Sequence, residues 1–197
     1  MRPATLWIEP EGGVRPERLW VQCRVLSGTG ARLATSVARE AGGYGVPVHA
    51  FGELRVAIAS ADPASPVLPA VFGVELAEGG EARVPVELVA GGHLALRFPD
   101  VDPLATVVVA NEHGRAAHLG LPPFDRAGGA GDLHAILCGE EPRREFAHAR
   151  RLESLAPLAP GVYSIRVGST SFEDWTGRFE IRAGETTELA LPLERAR

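Results

Sequence analysis

The groups in this 197-residue chain that could ligate a metal or move a proton are six histidines, two cysteines and a scatter of carboxylates. Five of the histidines (His93, His113, His118, His134 and His148) lie from residue 93 onward. Zinc asks for several convergent nitrogen or sulfur ligands, usually with a closely spaced pair among them. His113 and His118 flank an expected turn, but neither His134 nor Cys138 is locally paired with them, so no metal is expected. Asp100 and Asp102 fall short of the dense oxygen set of a calcium loop, and Asp-Pro at a strand end is ordinary turn chemistry. The chain has neither a Gly-x-Ser-x-Gly elbow nor a phosphate-cradling glycine loop. No catalytic residue and no cofactor is expected. Cys23 and Cys138 sit in the apolar runs VQCRV and HAILC, which read as two reduced, buried thiols in strands, with a disulfide between the modules as the alternative.

The remaining constellation is suited to contact. Ser169–Gly177, STSFEDWTG, gathers Phe172 and Trp175 around Glu173 and Asp174. Large aromatics ringed by polar groups are the usual make-up of a binding hot spot. The competing reading folds Phe172 and Trp175 back as a plug over the open end of a core. The expected site is therefore Phe172, Glu173, Asp174 and Trp175, with a protein partner or a surface assembly on the other side.

The elements that must hold this loop are legible on either side of it. Pro160-Gly161 signals a turn. Tyr163, Ile165 and Val167 then alternate with Ser164 and Arg166, the period of a half-buried strand. Phe179 and Ile181 alternate with Glu180 and Arg182. Ala183-Gly184-Glu185 turns the chain into a third inward row, Leu189, Leu191 and Leu193, and reads as a hairpin. The same text stands earlier. Leu54, Val56 and Ile58 match Tyr163, Ile165 and Val167, and Val74–Leu88 aligns without gaps to Phe179–Leu193, with Gly79 on Gly184. Self-similarity of this kind marks duplicated modules.

A Pro-Gly-x-Tyr turn, an alternating strand and an Ala-Gly-Glu-Thr-x-x-Leu turn resemble the carboxypeptidase regulatory-like domain, a small prealbumin-like (transthyretin-like) sandwich. The resemblance covers Leu155–Leu193 well and His93–Val109 more weakly. In the first copy Phe51 replaces the proline and Leu54 the tyrosine. It implies an all-β chain of two tandem Greek-key β-sandwiches and an accessory role beside an enzyme or a surface protein, with no catalytic residues to carry over. Enzymes on the same fold leave other marks. An intradiol dioxygenase would need two tyrosines beside two histidines on iron. Here Tyr163 faces the core, where its hydroxyl is expected to bond backbone as in a tyrosine corner. The terminal Tyr-Arg-Gly-Ser of hydroxyisourate hydrolases is missing from Leu191–Arg197.

Residues 1–90 are read as a degenerate module and residues 91–197 as the regulatory-like module, joined by Ala90-Gly91-Gly92. The rest of the chain reads in order as follows. Thr5–Glu9 is a strand with Leu6 and Ile8 opposite Trp7. Leu19–Leu26 is a strand closed by Ser27–Gly30. Leu33–Arg39 is undecided between strand and helical turn. Asp62–Pro69 is an extended loop, Thr106–Ala110 and Leu133–Cys138 are strands, and Glu140–Leu152 is a charged crossover. Pro85 and Pro192 belong on edges or strand ends.

Hydrophobic residues make up 45 % of the chain, enough for real cores. The net charge of −5 has the wrong sign for a nucleic-acid binder. All 20 basic side chains are arginine, and with 23 glycines and 16 prolines this reads as the codon bias of a GC-rich, bacterial genome. No run is long and apolar enough for a membrane helix, and Met1–Pro10 lacks the apolar centre of a signal peptide. The compartment and the oligomeric state stay open. Two rival functions remain: a metal-dependent hydrolase using the His113–His134 loops, and a carbohydrate-binding module using Trp7, Trp20 or Trp175.

Overall fold

Alternating apolar residues, broken by glycine and proline at short intervals, give strands that must each bury one face. The computed structural model describes residues 2–30, 33–62, 64–98, 105–117, 136–138, 145–147 and 157–194. The chain is all-β and divides into two compact units, Met1–Val89 with Pro122–Glu140, and Ala90–Leu121 with Glu141–Arg197. Each unit is a sandwich of two sheets, and the fold is that of tandem Greek-key sandwiches.

The first unit contains β1 (Ala4–Glu11), β2 (Arg18–Gly30), β3 (Leu33–Ala38), β4 (Tyr44–Val48), β5 (Ala50–Ser60), β6 (Ala70–Leu76) and β7 (Glu81–Glu87). One sheet runs β4-β1-β7 and the other β3-β2-β5-β6. The core between them holds Leu6, Ile8, Tyr44 and Val46 from one side and Val21, Cys23, Leu54, Val56 and Ile58 from the other. In the second unit, β8 (His93–Arg97) pairs with β13 (Thr186–Ala190). Opposite them stands a sheet of β10 (Glu145–Ala147), β9 (Ala105–Asn111), β11 (Gly161–Ser169) and β12 (Trp175–Ile181) in that order. Leu94, Leu96, Val107, Val109, Tyr163, Ile165, Phe179 and Ile181 fill its core.

The duplication read in the sequence reappears as identical register. Leu54 stands opposite Val74, Val56 opposite Phe72 and Gly52 opposite Leu76. Their counterparts Tyr163, Ile165 and Gly161 stand opposite Phe179, Gly177 and Ile181. In both units the first and last strands pair in parallel: Thr5 lies against Glu81, and His93 against Thr186. The turn entering the last strand is also the same. Gly80 N donates to Ala77 O at 3.0 Å and Glu185 N to Arg182 O at 3.2 Å. Gly79 (φ 64°) and Gly184 (φ 74°) take the left-handed backbone that these turns need.

Several expectations change. The Ala183-Gly184-Glu185 turn is not a hairpin. β12 and β13 belong to different sheets, as do β6 and β7, so each turn is an arch across the core. Period two reports which side of a strand is buried, and a strand across the core satisfies it as well as a strand alongside. Ser27–Gly30 does not close β2 but continues it, paired to Ala50–Glu53 after a bulge at Leu26. Leu33–Ala38 is strand, and Tyr44–Val48 is a strand in its own right. The described end of the expected Leu133–Cys138 strand, Ile136–Cys138, is a helical turn, since a short apolar run fits either state. Within Glu140–Leu152, Glu145–Ala147 forms β10.

Gly91 and Gly92 are more than a linker. Gly91 O accepts from Gly184 N at 2.8 Å, and Gly92 exchanges 2.9 Å bonds with Leu158 in both directions. A Cβ at Gly92 would stand 2.2 Å from Arg182 O. Pro85 is exposed on edge strand β7, and Pro192 lies exposed just past the end of β13, as proline's missing donor requires.

Candidate functional site

The Ser169–Gly177 loop is set by β11 and β12, whose pairing closes at Val167 opposite Trp175. Ser169 Oγ accepts from Ser171 N at 3.1 Å, a local serine turn that starts the loop. Glu173 N donates to Glu194 O at 2.9 Å and ties the loop to the C-terminal stretch. Within this frame the four residues divide. Phe172 is buried, and Trp175 is half-buried, packed against the second unit's core. The indole lies along its own strand over Gly177, where a Cβ would meet the ring at 2.3 Å. Glu173 and Asp174 face solvent. Asp174 Oδ2 pairs with Arg166 Nη2 at 2.8 Å, and both side chains stay more than half exposed. The loop thus presents carboxylates on a footing of aromatics.

Arg166 belongs to a surface absent from the sequence reading, the outer face of the β10-β9-β11-β12 sheet. Register aligns Ala110, Ser164 and Arg178 in one row and Val108, Arg166 and Thr176 in the next. Together they line a shallow concavity of about 410 Å³. The signal was present in the chain: Val108, Ala110, Ser164, Arg166, Thr176 and Arg178 alternate along these strands with the buried Val107, Val109, Ile165, Val167 and Phe179.

The phenols and thiols serve the structure, and among the described residues His93 Nε2 is buried without a hydrogen-bond partner. Tyr163 Oη donates to Ala159 O at 2.8 Å, the expected corner bond, and its ring stacks on Phe179 at 5.7 Å. Tyr44 Oη donates to Pro16 O. Burial raises the pKa of both phenols and pushes the Cys23 thiol up to about 12. Neither Cys23 nor Cys138 is in a disulfide. Cys23 is buried, as expected, while Cys138 is only half-buried, its Sγ accepting from Arg24 Nη1 at 3.4 Å. His113 sits exposed on the turn after β9, where Asn111 Oδ1 accepts from His113 N and Arg115 N at 3.0 Å. His118, His134, His148, Asp100 and Asp102 lie outside the described residues.

The three tryptophans weighed for carbohydrate stacking are all half-buried. Trp7 lies over Gly45 with the Arg83 guanidinium 5.4 Å above its ring. Trp20 is half-buried, and Trp175 is turned into its own unit.

No protein-family model matches the chain, and no curated protein matches its sequence. Among solved structures, the minor pilin GBS52 of Streptococcus agalactiae aligns at 12 % identity over 100 % of this chain and 97 % of that one, with a TM-score of 0.37. A streptococcal ancillary pilin aligns at 11 % identity over 96 % and 62 %, with a TM-score of 0.39. The Bacillus anthracis TIE protein aligns at 15 % identity with a TM-score of 0.34, over 98 % of this chain but only 34 % of its own length.

Proposed function

We propose that this chain is a non-enzymatic structural or binding module, accessory to a partner protein or a surface assembly. The observation that supports it is the isolation of the reactive groups among the described residues. Enzymatic chemistry needs a nucleophile or acid–base pair within hydrogen-bonding reach and oriented by a third group. Among the described residues, the Tyr44 and Tyr163 hydroxyls are committed to backbone carbonyls, Ser60 Oγ accepts from Asp62 N, and Cys23 is held protonated inside a core. The surface is instead made of register-aligned sheet faces and a braced loop. The resemblance of Leu155–Leu193 to the carboxypeptidase regulatory-like domain, whose members accompany enzymes and surface proteins, agrees with this reading. Residues 1–90 and 91–197 are taken as its two modules.

The contact is assigned to the Ser169–Gly177 loop, with Glu173 and Asp174 as the touching groups and Phe172 and Trp175 as their support. Full-length protein immobilised on resin and exposed to extract and cell-surface fractions of the source should retain a discrete partner. Free protein should compete that partner off, and the Glu173→Arg/Asp174→Arg double variant should not retain it. A chain that retains nothing yet turns over an ester or glycoside panel would reverse the proposal.

A further inference from the structure

Outward register does not mean exposure in the first unit. Ala57 and Ala59 face away from the core of the β3-β2-β5-β6 sheet, opposite Gln22 and Trp20. Yet both alanines are 0 % exposed and Gln22 is buried. The helical turn Ile136–Cys138 belongs to the same unit and meets this face at Arg24. Leu137 is 0 % exposed, and Arg24, an outward residue of β2, donates to Cys138 Sγ. A floor of small residues, a rim arginine and an apolar turn make a docked pair. In sequence that turn is flanked by acids, Asp132 before it and Glu140-Glu141 after it.

The duplication carries the same face into the second unit, where it is open. Val108 and Ala110 occupy the places of Gln22 and Arg24, Ser164 and Arg166 those of Arg55 and Ala57, and Arg178 that of Gly73. Ser164, Arg166, Thr176 and Arg178 are exposed around the concavity. Small groups again form the floor, and two guanidiniums form the rim. Arg166 already holds a carboxylate, that of Asp174. Arg178 makes no ion pair with a described residue.

We propose that this outer face binds a partner segment built like the turn that meets the first unit at Arg24, a short apolar stretch flanked by carboxylates. The proposal rests on reading the chain as a binding module. Apolar side chains would cover Val108 and Ala110. Flanking carboxylates would reach Arg178 and, in exchange for Asp174, Arg166, whose planar fork suits carboxylate geometry. The chain's own net charge of −5 disfavours a second whole copy as the occupant.

The probe is a labelled synthetic peptide carrying residues 131–142 (GDLHAILCGEEP) added to the full-length protein. The expected result is saturable binding that shifts the amide resonances of Val108, Ala110, Ser164 and Thr176. Arg178→Glu and Arg166→Glu should each weaken it about tenfold, the scale of losing a charge-assisted hydrogen bond. A peptide with its three carboxylates replaced by amides should weaken similarly. Circular dichroism of each variant must match the parent, and Arg178→Gln serves as a second variant if the reversal perturbs the sheet. Absence of saturable binding, or binding lost on Arg24→Glu but untouched by Arg178→Glu, overturns the proposal. Partner capture that persists in a protein unable to bind the peptide would overturn this inference alone and leave the broader function standing.

Discussion

The two units solve one folding problem with almost no shared residues. In the first, Glu9 on β1 pairs with Arg83 on β7 at 3.1 Å. At the matching diagonal of the second, Arg97 on β8 pairs with Glu188 on β13 at 2.8 Å, with the charges exchanged. Complementarity across the parallel pair persists while the sign at each place does not. Such exposed pairs add little stability. The main divergence lies on the other side of the first strand. In the first unit β4 lies along β1, and Tyr44, Val46 and Val48 are fully buried. In the second, the described pairing on that side of β8 is the single bridge between Gly92 and Leu158. Where the first unit uses a strand and a buried tyrosine, the second uses a glycine fitted against backbone and a tyrosine corner.

Breaking β4 should give the largest effect. Tyr44→Ala removes a fully buried ring and the bond to Pro16, which should cost about 3–5 kcal/mol. In calorimetry the first unit's transition should fall while the second's stays in place; a matching fall in both would mean that the units melt as one. Next comes Gly92→Ala, whose added methyl meets Arg182 O and Glu185 O. It should destabilise the second unit by about 1–3 kcal/mol, the usual cost of overpacking. The equivalent place in the first unit is already alanine, Ala4, and Ala4→Gly should cost only about 0.5–1 kcal/mol through chain entropy. A Gly92→Ala change no costlier than Ala4→Gly would show that Gly92 is not tightly fitted against backbone. Tyr163→Phe keeps the stacking on Phe179 and loses only the bond to Ala159 O, for about 0.5–1.5 kcal/mol in denaturant titration. A neutral result would assign the corner to ring packing alone.

The smallest effect is one of pH. Burial pushes the Cys23 thiol from 9.0 to about 12, so the folded first unit holds a proton that the unfolded chain releases sooner. This contribution is fully present below about pH 9 and is lost as pH rises toward 12. Cys23→Val should flatten that part of the stability profile. Thiol reagent should find Cys23 unreactive in the native protein and both cysteines reactive after denaturation. A native Cys23 that reacts rapidly at neutral pH would contradict its burial.

What could be read from the chain follows from what alternation encodes. Tyr163, Ile165 and Val167 pointed to the core because a period of two admits no other side, and Gly79 aligned on Gly184 because both turns need the same backbone. The Tyr163 corner bond was legible for a related reason: a phenol forced inward must find an acceptor. Alternation does not name a strand's neighbour, and so the arch at Gly184 was read as a hairpin. HAILC has the length of a strand and the composition of a buried turn, and only the face it meets decides. The face of Val108, Ser164 and Arg178 escaped notice because its residues come from three strands and meet only through register. Within the Ser169–Gly177 loop, composition found the aromatics and acids together. The division between buried Phe172 and exposed Glu173 depends on the tie to Glu194, far along the chain.

The parallel closing pairs carry a mechanical consequence. In each unit the first strand begins at one end of the pair and the last strand finishes at the other. Tension applied between the two termini of a unit therefore acts along the strands. The hydrogen bonds joining Thr5–Glu11 to Glu81–Glu87, and those joining β8 to β13, are then loaded side by side in shear. An antiparallel hairpin pulled at its open end gives way one rung at a time. These pairs must break most of their rungs together, so each unit is built to resist extension along the chain whichever molecule it is attached to.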